Sequence, residues 1–160
     1  RWPGRMEVLA PTTDAPEALT RTPGRLILDG AHNPAAATAL ADALRGLATH
    51  PVAVVGLARD KDARGVLAAL APVVSGVRLT RALASPRAQA PDLLARIARE
   101  VDLRVDGVHD DPRDALEAAL ADAATAHEAG DVLVAGSLYL IGELRPWALG
   151  RPVPAWERWQ

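Results

Sequence analysis

Leu26-Ile27-Leu28-Asp29-Gly30-Ala31-His32-Asn33-Pro34 is the stretch that decides the fold. A short apolar run ends in a carboxylate, Gly30 permits a tight turn, and Asn33-Pro34 reads as the start of a helix. Asn accepts a hydrogen bond from an unpaired N–H of the first helical turn, and Pro loses nothing at a position whose N–H has no partner. A strand that passes through so brief a turn into a helix is the opening half of a strand–helix–strand unit.

Outward from it the same pattern repeats. Short Val- and Leu-rich runs at residues 52–55, 77–80, 103–105 and 132–135 join 26–28 as expected strands. Ala/Leu-rich stretches at 34–48, 63–71, 91–101, 112–129 and 138–149 have helical period, and Pro34, Pro91 and Pro112 each suit a first turn. This alternation predicts an α/β fold, a Rossmann-like domain of three layers with a mainly parallel sheet and crossover helices. Before it, residues 6–9 read as a short strand, and the Pro/Thr-rich stretch 11–23 reads as an exposed, mobile connection. Residues 151–160 have neither period.

A length of 160 residues, 49% apolar, is enough for one domain with its own core. The net charge of -2 gives no field for nucleic acid, and no apolar run approaches a membrane span, so neither is expected as a partner. Cysteine is absent, which excludes disulfides and thiolate metal sites and leaves the cytoplasm as the expected compartment. Arg1 rather than Met opens the sequence, the expectation being a piece of a longer protein.

In a parallel sheet, ligands bind beyond the carboxyl ends of the strands, where loops enter helices whose free N–H groups favour anions. That rule selects 29–34, 56–62, 80–87 and 136–137. Asp29 can accept from ribose hydroxyls and His32 can donate to a phosphate or carboxylate oxygen. The same residues have a purely structural use, Asp29 as a loop brace and Asn33-Pro34 as a helix start. Lys61 is the single lysine among seventeen arginines, and a compact ammonium suits a substrate carboxylate, although flanking Asp60 and Asp62 also fit a surface ion pair. Ser137 is placed to cap a helix or to touch a ligand. His50, His109 and His127 share no metal-ligand spacing and are expected to face solvent. The four tryptophans lie near the termini, where they suit packing within the domain or against a neighbour. No phosphate loop, dinucleotide fingerprint or nucleophile elbow is present in the sequence.

Trp2-Pro3-Gly4-Arg5-Met6-Glu7, the 28–34 string Leu-Asp-Gly-Ala-His-Asn-Pro, Asp60-Lys61-Asp62 and Gly136-Ser137-Leu138-Tyr139-Leu140 together resemble successive motifs of the folylpolyglutamate synthase/dihydrofolate synthase family of Mur ligases. The resemblance implies that residues 1–160 form the carboxyl-terminal, glutamate-ligase domain, with the amino-terminal ATPase domain, its phosphate loop and its Mg2+ sites lying outside this chain. It implies ATP, L-glutamate and a folate or dihydropteroate as small-molecule substrates, and the missing domain as the macromolecular partner. It assigns Arg5 to the ATP γ-phosphate, Asp29 to the nucleotide ribose, and His32, Lys61 and Ser137 to glutamate or its neighbourhood; Arg5, His32 and Lys61 are thereby the expected catalytic set, with no metal ligands here. Two other readings share these residues: a stand-alone, non-catalytic nucleotide-binding module, and the equivalent domain of a muramyl-peptide or cyanophycin-type ligase.

Overall fold

A computed structural model describes residues 4–10, 12–22, 24–125 and 130–152. Six strands form one sheet: β1 (Glu7–Leu9), β2 (Leu26–Asp29), β3 (Val52–Val55), β4 (Gly76–Leu79), β5 (Val105–Val108) and β6 (Val132–Ala135). Six helices accompany them: α1 (Glu17–Thr20), α2 (Pro34–Gly46), α3 (Ala63–Leu70), α4 (Pro91–Glu100), α5 (Pro112–Thr125) and α6 (Leu138–Ala148). The spatial order is β1-β2-β6-β3-β4-β5; β1 runs antiparallel to β2, and every other pair is parallel.

Side-chain alternation along the strands divides the core in two. Ile27, Ala53, Val55, Val77, Leu79, Leu133 and Ala135 pack with α2, α3 and α4 on one face. Leu26, Leu28, Val54, Val132 and Val134 pack with α1, α5 and α6 on the other. Because both faces of β6 are covered, all four of its residues are buried, which is why it reads in sequence as an unbroken apolar run. The result is the expected three-layer α/β domain, with the strand that comes last in sequence near its centre.

Several expectations need correction. The stretch 11–23 is no mobile connection in its described part: it contains α1, whose Leu19 is 1% exposed in the second core, and Thr22 is buried with its hydroxyl donating to Ala18 O at 2.8 Å. The fifth strand begins at Val105 rather than 103, because Leu103 fills the first core from the preceding turn, where Asp102 takes φ +57. The remaining elements lie within one or two residues of the expected bounds, and α5 is described only to Thr125 of the expected 112–129.

His109 does not face solvent freely either. It is half-buried, and Arg78 Nη1 lies 3.1 Å from its Nε2. Burial, and then the Arg78 charge, push its pKa down, while Asp114 opposes them. A cationic donor at Nε2 requires that nitrogen to accept, so the imidazole is neutral with its proton on Nδ1. His50 is exposed, and His127 lies outside the described residues. Of the tryptophans, Trp147 packs against the second core; Trp2, Trp156 and Trp159 lie outside the described residues.

Candidate functional site

Parallel pairing of β2, β6, β3 and β4 puts their carboxyl ends on one edge. Three loops there are in close contact. A Cβ on Gly136 would stand 2.5 Å from Gly56 O, so the turns after β6 and β3 touch through main chain. A Cβ on Gly30 would collide with the Leu138 side chain, joining the turn after β2 to the start of α6, and one on Gly65 would lie 2.6 Å from Pro34 Cγ, joining the starts of α3 and α2. Gly136 also has φ +105, which an L side chain rarely adopts. Thus Asp29 and His32, the Lys61 loop and Ser137 share this edge although they span more than a hundred residues of sequence.

Within the edge lies a cleft of 440 Å³. The Gly4-Arg5-Met6 turn forms one side, Asp29 to Asn33 the floor, Ala36, Ala39 and Leu40 of α2 the second side, and Leu138 closes it from α6. Arg5 is exposed in the lining. Asp29 is half-buried, and its two oxygens each accept one main-chain bond at 2.8 Å, Oδ2 from Met6 N and Oδ1 from Ala31 N. A carboxylate offers about four lone-pair sites, so two remain for an outside donor. His32 has its Nδ1 2.8 Å from Gly30 O. A carbonyl only accepts, so the proton sits on Nδ1, leaving Nε2 as the free ring nitrogen.

Lys61 and Ser137 are on the edge but outside the cleft lining. Lys61 Nζ is 3.6 Å from Asp60 Oδ2 and about one-third exposed, a loose surface contact that leaves the ammonium accessible. Ser137 caps α6, its hydroxyl accepting from Tyr139 N at 3.2 Å, and keeps its own proton to donate. The cleft and its surroundings therefore present the Arg5 and Lys61 cations and the Ser137 hydroxyl as donors, a set suited to phosphate and carboxylate oxygens, while His32 offers Nε2 as an acceptor.

Sequence reasoning did not find the groups that brace these loops. Glu143 of α6 is 8% exposed and accepts from Leu83 N at 3.1 Å and Ala84 N at 2.7 Å. It thereby holds the loop after β4, which in turn bonds the Lys61 loop through Arg59 N to Arg87 O and Gln89 N to Leu57 O, both 2.8 Å. Glu7 accepts from Gly4 N at 2.9 Å and is clasped by Arg145. The one available signal was Glu7, the last residue of the Trp2 to Glu7 string; Glu143 lies three residues beyond the Gly136 to Leu140 string.

Among the described residues no group of three or more His, Asp or Glu side chains could hold a metal ion. Asp29 is the only carboxylate in the cleft lining, half engaged by N–H groups and beside the Arg5 cation, which does not fit a hard divalent cation. No helix among the described residues is long and apolar enough to cross a membrane.

Residues 4–138 match the family described as the Mur ligase glutamate ligase domain. The chain is 30% identical over 150 residues to folylpolyglutamate synthase of Lacticaseibacillus casei, covering 93% of this chain and 30% of that protein. It is 34% identical over 146 residues to a probable bifunctional folylpolyglutamate synthase/dihydropteroate synthase of Halobacterium salinarum, covering 90% of this chain and 16% of the relative. Among solved structures, Mycobacterium tuberculosis folylpolyglutamate synthase complexed with ADP and AMPPCP superposes with a TM-score of 0.74 at 32% identity, over 96% of this chain and 34% of that one. The chain thus spans between 16% and 34% of the length of each.

Proposed function

The chain belongs to the Mur ligase glutamate ligase domain family, and from that membership we propose that it is the carboxyl-terminal part of an ATP-dependent ligase that joins L-glutamate to a folate or dihydropteroate carboxylate. The observation that carries this reading is the convergence of Arg5, His32 and the Lys61 loop on one sheet edge, with Arg5 in the cleft and Lys61 beyond its lining as separate cations for two anions. The folate branch is favoured over the muramyl-peptide ligases by the Gly136 to Leu140 string and by the relatives just described.

In this reading the acceptor carboxylate attacks the γ-phosphorus of ATP, ADP leaves, and the glutamate α-amine displaces phosphate from the acyl phosphate. Arg5 offsets charge on the transferred phosphoryl group, and Asp29 takes the ribose with its two unused lone pairs. Lys61 and Ser137 hold glutamate, with His32 beside them at the cleft floor. The divalent metal implied for such a reaction finds no ligand set among the described residues and is assigned to the rest of the parent enzyme.

Two experiments test the reading. The isolated chain should melt cooperatively yet release no phosphate from ATP with or without glutamate; release at about 1 per second or faster would contradict it. In the parent enzyme, Lys61→Ala and Lys61→Met should each raise the KM for glutamate by about 10- to 100-fold while moving the KM for ATP far less, because an ammonium–carboxylate bond is lost. Unchanged glutamate kinetics in both variants would leave Lys61 as the partner of Asp60 and nothing more.

A further inference from the structure

We infer that Glu7 and Arg145 act as a pair to fix the orientation of Arg5 toward the cleft, a positioning role that rests on the ligase reading above. Arg5 sits between two left-handed residues, Gly4 at φ +72 and Met6 at φ +44. For Met6 that conformation costs about 1 to 2 kcal/mol and persists only where surrounding bonds impose it. The main-chain groups around Arg5 supply them: Gly4 O accepts from Gly30 N at 2.7 Å, Met6 N donates to Asp29 Oδ2 at 2.8 Å, and Gly4 N donates to Glu7 Oε2 at 2.9 Å.

The Gly30 and Asp29 contacts come from the cleft floor. The third is different, because Glu7 reaches back from β1 and is held by a side chain 138 residues away. Arg145 Nε lies 3.0 Å from both Glu7 oxygens, and its Nη2 lies 2.8 Å from Oε1. This planar fork fixes the carboxylate in two directions, which a single ammonium cannot do. Glu7 is 15% exposed and Arg145 30%, so the pair is sheltered from water. Consistent with this, the Arg145 hydrogen bonds outweigh burial and keep the Glu7 carboxyl below its usual range, with the Gly4 N–H adding to the effect.

β1 does not need this clasp to stay in the sheet, since Glu7, Val8 and Leu9 are already paired with Leu28, Ile27 and Leu26. What the clasp adds is a rigid path from α6 through Glu7 to Gly4 and hence to Arg5. The same helix begins at Ser137, so one element frames both the residue assigned to phosphate and one assigned to glutamate.

A double-mutant cycle in the parent enzyme tests the inference, with phosphate release measured across glutamate concentrations at saturating ATP and acceptor. Glu7→Gln should lower kcat by about tenfold or more, with the KM for glutamate changed by less than about twofold, as expected for a misplaced group acting in the transition state. Arg145→Met should reproduce that loss, and Arg145→Lys, which keeps the charge but not the fork, should recover part of it. In an Arg5→Ala background Glu7→Gln should cost nothing further, because the group it positions is gone. Full additivity in the double variant, or wild-type kcat in Glu7→Gln, would overturn the inference. If Glu7→Gln does not fold, the Arg145→Lys variant carries the same cycle. A parent enzyme that forms no glutamyl product would refute the ligase reading, whatever Glu7 does.

Discussion

Arg5→Ala in the parent enzyme is expected to lower kcat by about 100- to 1000-fold, the size typical of removing one preorganised donor from developing transition-state charge. The guanidinium lines the cleft on a turn whose main chain is tied at Gly4 N, Gly4 O and Met6 N, so it pays little reorganisation when charge builds on the phosphoryl group. The KM for ATP should move much less, since in this reading Arg5 meets only the transferred phosphoryl group. Arg5→Lys should restore little, because a point charge cannot reproduce a fork on two phosphoryl oxygens. Steady-state phosphate release across ATP concentrations checks this. A loss of less than about threefold would remove Arg5 from the reacting centre.

The second large effect concerns the opposite edge of the sheet. Asp131, 7% exposed at the start of β6, accepts from Arg25 N at 2.7 Å, from Arg25 Nη2 at 2.7 Å and from the Thr49 hydroxyl at 2.6 Å. Arg25 leads into β2 and Thr49 precedes β3, so one carboxylate pins the entry of three adjacent parallel strands. Asp131→Ala should cost about 2 to 4 kcal/mol, the lower end of the range for breaking a buried pair, because Arg25 is 42% exposed and can turn to water. At roughly 2 to 4 °C per kcal/mol for a chain of this size, the melting point should fall by about 4 to 16 °C. Burial pushes the Asp131 carboxyl up, but Arg25 and Thr49 more than offset it, so its pKa is depressed on folding. Its contribution is therefore complete above the unfolded value near ~3.9 and is lost as pH falls through the folded value. The gap in melting point between wild type and variant should accordingly be constant near neutrality and close in acid; a gap that stays constant below about pH 3 would show that packing, not the charge, supplies the difference.

Asp131 also illustrates what could not be read in advance. The strands were legible because burial on both faces leaves unbroken apolar runs, and the helices because Pro34, Pro91 and Pro112 mark their first turns. The site loops followed, since every parallel strand must release its chain at the same edge. α1 escaped because four residues of helix inside a Pro/Thr-rich stretch carry too little period, and its buried anchor is the single residue Leu19. β5 shifted because Leu103, the apolar residue that suggested the strand, packs from the turn before it. The braces Glu7–Arg145, Glu143 and Asp131 link residues 59 to 138 positions apart. No local pattern encodes which Arg a Glu will meet at such a distance. Asp29 shows the intermediate case: its place was predictable, but its engagement by Met6 and Ala31 depended on how β1 folds back across the edge.

If this domain completes an ATP-dependent folate–glutamate ligase, product mass and ADP followed together will rise in step. The parent enzyme should be incubated with ATP, a divalent cation, L-glutamate and either dihydropteroate or a reduced folate. One ADP is expected for each glutamyl residue added, none when glutamate or acceptor is omitted, and no product when a muramyl-peptide precursor replaces the pterin acceptor. ADP formed without glutamate, or glutamate transferred only to the muramyl acceptor, would contradict the ligase reading.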